Sequence, residues 1–273
     1  MREFWTRWHD NPLIIIMMLH SQKIYHLLLD TVAMQNTVAV EEILIGLTWT
    51  LCRTEQATGL AMSPHTQTRT LPWAGSLRGR KINELAQWIH SWQMHEAVVG
   101  LAAINSVVNH DNALLAQAIS LPKTAYPNLA VFEYFLPQLL GKKVAVIGRY
   151  PYLERLTTQV EWTILERQPQ DTDLPDTACE FILPESDWVF VTASSLSNKT
   201  FPRLAELSRD AQLVLMGPSV PWLAELADFG VNFLAGVAVD EPALLRQTVA
   251  EGGGVRIFQQ GVTYRVAHLT PDG

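Results

Sequence analysis

The stretch Lys142-Lys143-Val144-Ala145-Val146-Ile147-Gly148 decides how this chain folds. Four consecutive apolar residues follow two lysines and stop at a glycine. No polar residue alternates with them, so a strand here is buried on both faces, as in a parallel sheet. The rhythm recurs downstream. Glu161 to Leu165 ends at Glu166, Trp188 to Val191 at Thr192, Leu213 to Met216 at Gly217, and Val231 to Leu234 makes a fifth run. Helical or turn segments separate the runs, and such alternation implies right-handed βαβ units in one sheet. Asp240 to Ala250 reads as a late helix with Pro242 in its first turn, Leu244, Leu245 and Val249 on its apolar face, and Gly252-Gly253-Gly254 as its stop. It is expected to pack on the parallel sheet and close it, with a terminal hairpin over Val255 to Val266.

Toward the N-terminus the pattern changes. Ile24, Leu27, Leu28 and Val32 recur at helical spacing within Ser21 to Met34. Val38 to Arg53 reads as strand, with Thr48, Thr50 and Cys52 on one face and Leu47, Trp49 and Leu51 on the other. The polar turn Thr54 to Thr58 leads back into Gly59 to Met62, which makes a hairpin. After a loop carrying Pro64, Pro72, Gly75 and Gly79, one helix places Ile82, Leu85, Ala86 and Ile89 on one face. A second, Ala97 to Val108, is apolar all round and so buried on several sides, with Gly100, Ala102 and Ala103 allowing close neighbours. This is an α+β unit, and the chain divides into residues 1–115 and 116–273, with the change of rhythm between Ala113 and Lys142.

The 273 residues carry 20 basic and 27 acidic side chains, a formal net charge of -7. Nucleic-acid binding, which needs clustered Lys and Arg, is not expected. The two cysteines, Cys52 and Cys179, cannot build a disulfide framework, and a reducing cytoplasm suits them. The apolar run Pro12 to Leu19 is too short to span a bilayer and lacks a cleavage site, so it reads as a buried helix or strand segment.

Ligands of parallel sheets bind outside the carboxyl ends of the strands, so the residues there carry the functional information. They are Gly148-Arg149-Tyr150-Pro151, Glu166-Arg167, Thr192-Ala193-Ser194-Ser195 and Gly217-Pro218-Ser219. A dinucleotide fingerprint is missing two of its three glycines, because Tyr150 and Leu153 stand in their places. Glu166 does occupy the position of a ribose-binding acid. The most polar strand-to-helix junction is Ser194-Ser195-Leu196-Ser197-Asn198-Lys199-Thr200, where free backbone N–H groups and an ammonium favour an anion. His90 and His95 are five apart, which on a helix turns them about 140° from each other. Cys52, Cys179, His65, His110 and His268 stand alone, so no closed zinc site is visible. No glycine-x-serine-x-glycine elbow occurs.

These pieces in order resemble the bacterial and archaeal heavy-metal chelation family, first described as a domain of unknown function. The resemblance rests on Val146-Ile147-Gly148 with Pro151, Leu165-Glu166-Arg167, Pro184-Glu185-Ser186-Asp187, Thr192 through Thr200, Gly217-Pro218-Ser219 with Pro221, and Ala235-Gly236 followed by Asp240. Upstream, Gly46-Leu47-Thr48-Trp49-Thr50 and Gly100 through Asn105 match as well. The family commonly has glycine at the place of Ala193 and an apolar residue at that of Ser197. The resemblance implies an enolase-N-terminal-like α+β domain followed by a Rossmann-like one, and handling of a metal ion or metal chelate.

The expected function is therefore small-ligand binding between the two units. The alternatives are a Rossmann-type enzyme using a nucleotide or S-adenosylmethionine-like cofactor, and a purely structural role. The expected ligand-binding set is Gly148, Glu166, Thr192, Ser194, Asn198, Lys199, Thr200, Gly217, Pro218 and Ser219, facing Thr50 and Asn105 across a cleft. A homodimer is the default assembly.

Overall fold

The computed structural model describes residues 12–270 apart from 36, 157, 158 and 171, with side chains from residue 22 onward. The first half contains α1 (Pro12–Ala33), β1 (Glu42–Ile45), β2 (Trp49–Arg53), β3 (Thr58–Met62), α2 (Ile82–Ala86), α3 (Met94–Val108) and α4 (Ala113–Gln117). The second contains β4 (Ile119–Ser120), α5 (Ala130–Leu139), β5 (Lys143–Ile147), β6 (Glu161–Glu166), β7 (Leu174–Pro175), α6 (Cys179–Ile182), β8 (Trp188–Thr192), α7 (Ser194–Ser197), α8 (Phe201–Leu207), β9 (Gln212–Met216), β10 (Phe233–Val239), α9 (Pro242–Ala250) and β11 (Val262–His268).

Two sheets result. Strands β1-β2-β3 form a small antiparallel sheet, and the other eight run in the order β4-β11-β10-β9-β8-β5-β6-β7. From β10 to β7 all neighbours are parallel, while β11 is antiparallel to both β10 and β4. The chain goes outward from β5 to β6 and then returns to place β8 on the other side of β5. The strand order thus reverses between β5 and β8.

The central strands are buried on both faces because their side chains alternate between two cores. Val144, Val146, Phe190, Val214 and Met216 join one, with Phe132 and Phe135 of α5 and with Trp49, Leu51 and Leu60 of the small sheet. Ala145, Ile147, Val189, Val191, Leu213 and Leu215 join the other, with Phe201 of α8, Ile24 and Leu28 of α1, and Val99 and Ala103 of α3. Each core draws on both halves of the chain.

Some elements differ from the sequence reading. The stretch Val38 to Arg53 is two strands, because Gly46 N donates to Trp49 O and closes a two-residue turn at Leu47-Thr48. The fifth run starts at Phe233, since Asn232 is used as a clip: its side chain and backbone exchange bonds with Leu213. No hairpin covers Val255 to Val266; Val255–Phe258 is a 3-10 turn, and β11 pairs with β10 and β4. The late helix α9 packs under β1 and β2, where Arg246 forms a two-pronged pair with Glu42 at 2.8 and 2.7 Å. Its Leu245 and Val249 are buried, but Leu244 is 40% exposed. The run Pro12 to Leu19 belongs to α1; its side chains lie outside the described residues. No described helix is long and apolar enough to cross a membrane.

The helix α3 is the pillar of the first half, and its small residues set its spacing. A Cβ built on Gly59 of β3 would stand 2.2 Å from both Ala102 O and Ser106 N. On the opposite flank, a Cβ on Gly100 would stand 2.3 Å from Ile89 N. Backbone cannot yield there as a side-chain tip could. Gly59→Ala is therefore expected to lower stability by about 3 kcal/mol through overpacking; urea unfolding checks this.

Candidate functional site

The expected site residues separate into three places. The first is a seam between the small sheet and the loop after β9. Asn105 is fully buried on α3, and its Nδ2 donates to Leu60 O at 2.8 Å and to Ser219 O at 2.9 Å. Ser219 Oγ accepts from Met62 N at 2.8 Å. Thr50 Oγ1 and Ser63 Oγ lie 2.9 Å apart, and Ser63 Oγ donates to Gly46 O. Gly217, Pro218 and Ser219 are all buried here, with Gly217 N bonded to Ala235 O and its φ at +108°. Asn105 and Ser219 thus meet directly, as a packed joint, while Thr50 is bonded to Ser63. Asn109 and Asn112 extend it: their side chains bond the backbone of Val220 and Trp222.

The second place is the reversal point between β5 and β8, where open parallel sheets bind ligands. Gly148 has φ +99°, and a Cβ there would lie 3.3 Å from Thr192 Cγ2. Thr192 Oγ1 lies 3.1 Å from Ser194 Oγ. The ring of Tyr150 turns inward onto Phe132, 5.1 Å between centroids. Burial raises its hydroxyl's pKa, against a hydrogen bond with Thr192. Glu166 closes its own loop: Oε2 accepts from Arg149 N at 3.0 Å, and Oε1 from Arg167 N at 2.7 Å. The nearly inaccessible carboxylate of Asp173 takes Arg149 Nη1 at 2.6 Å. Between β5 and β6 the described helical structure is a single 3-10 turn, Leu153–Arg155. Beyond Gly148, a pyrophosphate would find neither the second and third glycines nor a helix N-terminus among the described residues here.

The third place is the corner after α7. Asn198 Oδ1 accepts from Thr200 N at 3.1 Å and from Thr200 Oγ1 at 2.6 Å, a turn that uses up the amide oxygen. It throws Lys199 into the left-handed region at φ +67°. Lys199 Nζ then reaches across to Ser91 O at 2.6 Å, bonds Ser197 O at 2.8 Å, and lies 5.9 Å from the centroid of the exposed Trp92 ring. Burial pushes its pKa down to about 8. No carboxylate pairs with it among the described residues. Tyr25 of α1 braces the same loop by donating to Leu196 O at 3.1 Å. Ser91, Trp92 and Tyr25 were not legible as site residues, because only the fold brings them to this loop.

The resemblance to a known family holds on comparison. The family described as "Putative heavy-metal chelation" matches residues 25–108 and 130–268. This chain belongs to that family. A heavy-metal chelation family protein of unknown function from Desulfitobacterium hafniense is 31% identical; its crystal structure covers 91% of this chain and 98% of its own, with a TM-score of 0.78. The structure of a family protein from Pyrococcus horikoshii is 23% identical, covers 92% of this chain and 100% of its own, and shares the fold at a TM-score of 0.73. An uncharacterized protein of Methanocaldococcus jannaschii is 28% identical over 168 residues, 59% of this chain and 61% of that protein. Ala193 has φ -66° and ψ -9°, a conformation any residue adopts. Ser197 Oγ is satisfied within its own turn by Ser194 O at 2.9 Å.

A bare metal ion does not fit the donors present. Among the described residues no three His, Cys, Asp or Glu side chains gather as one ion would require. Burial pushes the thiol of Cys52 up to about 12 and that of Cys179 up to about 11. The seam, in contrast, is held by hydrogen bonds internal to the protein. Asn105→Ala would strand two buried carbonyls, and a loss of about 2–4 kcal/mol is expected. Thermal or urea unfolding will register it, while Cys52 should stay unreactive toward a thiol reagent until the chain unfolds.

Proposed function

We propose that this protein binds a small anionic ligand, a chelated metal in preference to a bare ion, where the loop after β8 meets the turn before α3. The observation that carries this reading is Lys199. Its ammonium is half-buried, bonded only to carbonyl oxygens, and carries no compensating carboxylate among the described residues. A buried charge without a counter-charge is costly, and an anionic ligand supplies the missing partner. The Lys199 backbone is held in the left-handed region by the Asn198 turn, which aims the side chain at the junction. Thr192, Ser194 and Gly148 lie at the reversal of strand order, a separate place on the same sheet edge, with hydroxyl groups suited to carboxylate or hydroxyl oxygens. In this reading residues 1–115 and 116–273 act as two units. They are joined tightly at the Asn105 seam and leave the Lys199 corner for the ligand. The family's description points to metal, and the lack of a three-donor cluster among the described residues is why the metal should arrive already chelated.

Native mass spectrometry of freshly purified protein should show an adduct containing both metal and organic mass. Adducts of metal alone would sink the chelate reading. Affinity for the recovered ligand should be steady below pH 8 and fall as the pH rises through about 8, where Lys199 gives up its proton. Lys199→Met should weaken binding by about 1.5–3 kcal/mol and flatten that pH profile. Calorimetry across pH decides it, and equal affinities in the two proteins would remove Lys199 from the site.

A further inference from the structure

The fold brings together two histidines that no linear spacing connects. His26 projects from α1 and His90 ends the 3-10 turn Gln87–His90. Their imidazole centroids lie 6.3 Å apart with ring planes at 74°, and both side chains are exposed. Tyr25 flanks His90 at 5.9 Å between centroids. This pair adjoins the corner described above, because Lys199 bonds the carbonyl of Ser91, the residue after His90.

We infer that His26 and His90 form a two-imidazole seat for a divalent transition metal, nickel, copper or zinc, whose remaining coordination positions are filled by an anionic chelator. Nitrogen–metal bonds are about 2.0–2.1 Å long, and a ring centroid lies about 1.1 Å behind its nitrogen. Two imidazoles on one ion therefore have centroids about 4.5 Å apart at neighbouring positions and about 6.4 Å apart at opposite ones. The observed 6.3 Å lies at the opposite-position end of that range, and the exposed side chains must turn toward each other to reach adjacent positions. Imidazole suits borderline metals, and not calcium or magnesium. The metal needs the unprotonated ring.

Two donors leave most of the coordination shell open. A closed protein site would exclude a chelator, whereas an open one accepts it as co-ligand. Lys199 sets the sign of the selection. Its positive charge repels a hydrated dication approaching His90 and attracts the same metal wrapped in a carboxylate chelator of net negative charge. The chelator half of this inference rests on the function proposed above; the imidazole pair rests on its own geometry.

The test uses full-length, tag-free protein and nickel–nitrilotriacetate, an anionic chelate with two adjacent open positions. Calorimetry should find wild type binding it, with His26→Ala and His90→Ala each weaker by roughly tenfold or more because the second imidazole acts as a tethered ligand. His110→Ala, remote from the pair, should bind as wild type. With copper–iminodiacetate, electron paramagnetic resonance should show two imidazole nitrogens in wild type and one in each variant. Both histidines are exposed, so unchanged melting curves should accompany these losses. Wild-type failure to bind, or undiminished binding in His26→Ala and His90→Ala, overturns the seat. Lys199→Met separates the two readings. If the histidine dependence holds while Lys199→Met leaves nickel–nitrilotriacetate affinity unchanged, the imidazole seat stands and the role given to Lys199 falls.

Discussion

The carboxamide of Asn105 gives one hydrogen to Leu60 O and the other to Ser219 O, and so fixes β3, α3 and the loop after β9 against one another. Each bond to a buried carbonyl adds only about 1 kcal/mol net. Its weight comes from geometry: it joins the small sheet to the edge where the large sheet would otherwise present an open loop. That stretch of the edge, after β9, is thereby closed. The amide oxygen of Asn105 finds no partner among the described residues, a cost on the other side of the same group.

The central strands were readable because short runs of apolar residues recur, each ending at a polar residue or glycine. Val144 to Ile147, Val189 to Val191 and Leu213 to Met216 are apolar on both faces, and the structure buries both. The ends of the sheet were harder. A short apolar run has no register of its own, and β11 takes its place only by pairing with β10 and β4, long-range choices that periodicity cannot express. The small sheet was legible as a hairpin, but not its extra turn at Gly46, which depends on contact with Val249 far downstream. Residue types at the strand ends were visible in the sequence. What faced them was not, since partners such as Trp49 and Gly254 are 205 positions apart.

The same contrast separates Glu166 from Lys199. Both stood at strand-to-helix junctions, and both are polar. Glu166 is consumed locally by N–H groups of neighbouring loops. Lys199 reaches out of its own segment, and only carbonyls and an aromatic face receive it. Local hydrogen bonding could be guessed from the Asn-Lys-Thr order; the absence of a described acidic partner could not, because it depends on everything packed around the loop.

Neither hydrophobic core belongs to one half of the chain alone. On the ribosome, α3 with its all-round apolar surface emerges well before β8, β9 and β10, against which its half of the molecule must finish packing. The first hundred or so residues therefore leave the exit tunnel with their binding faces uncovered. The nascent chain has to be kept from clumping until more than half of the remaining sequence has been made. The corner that joins His90 to Lys199 is assembled only after residue 199 has been made, long after His90 itself has emerged.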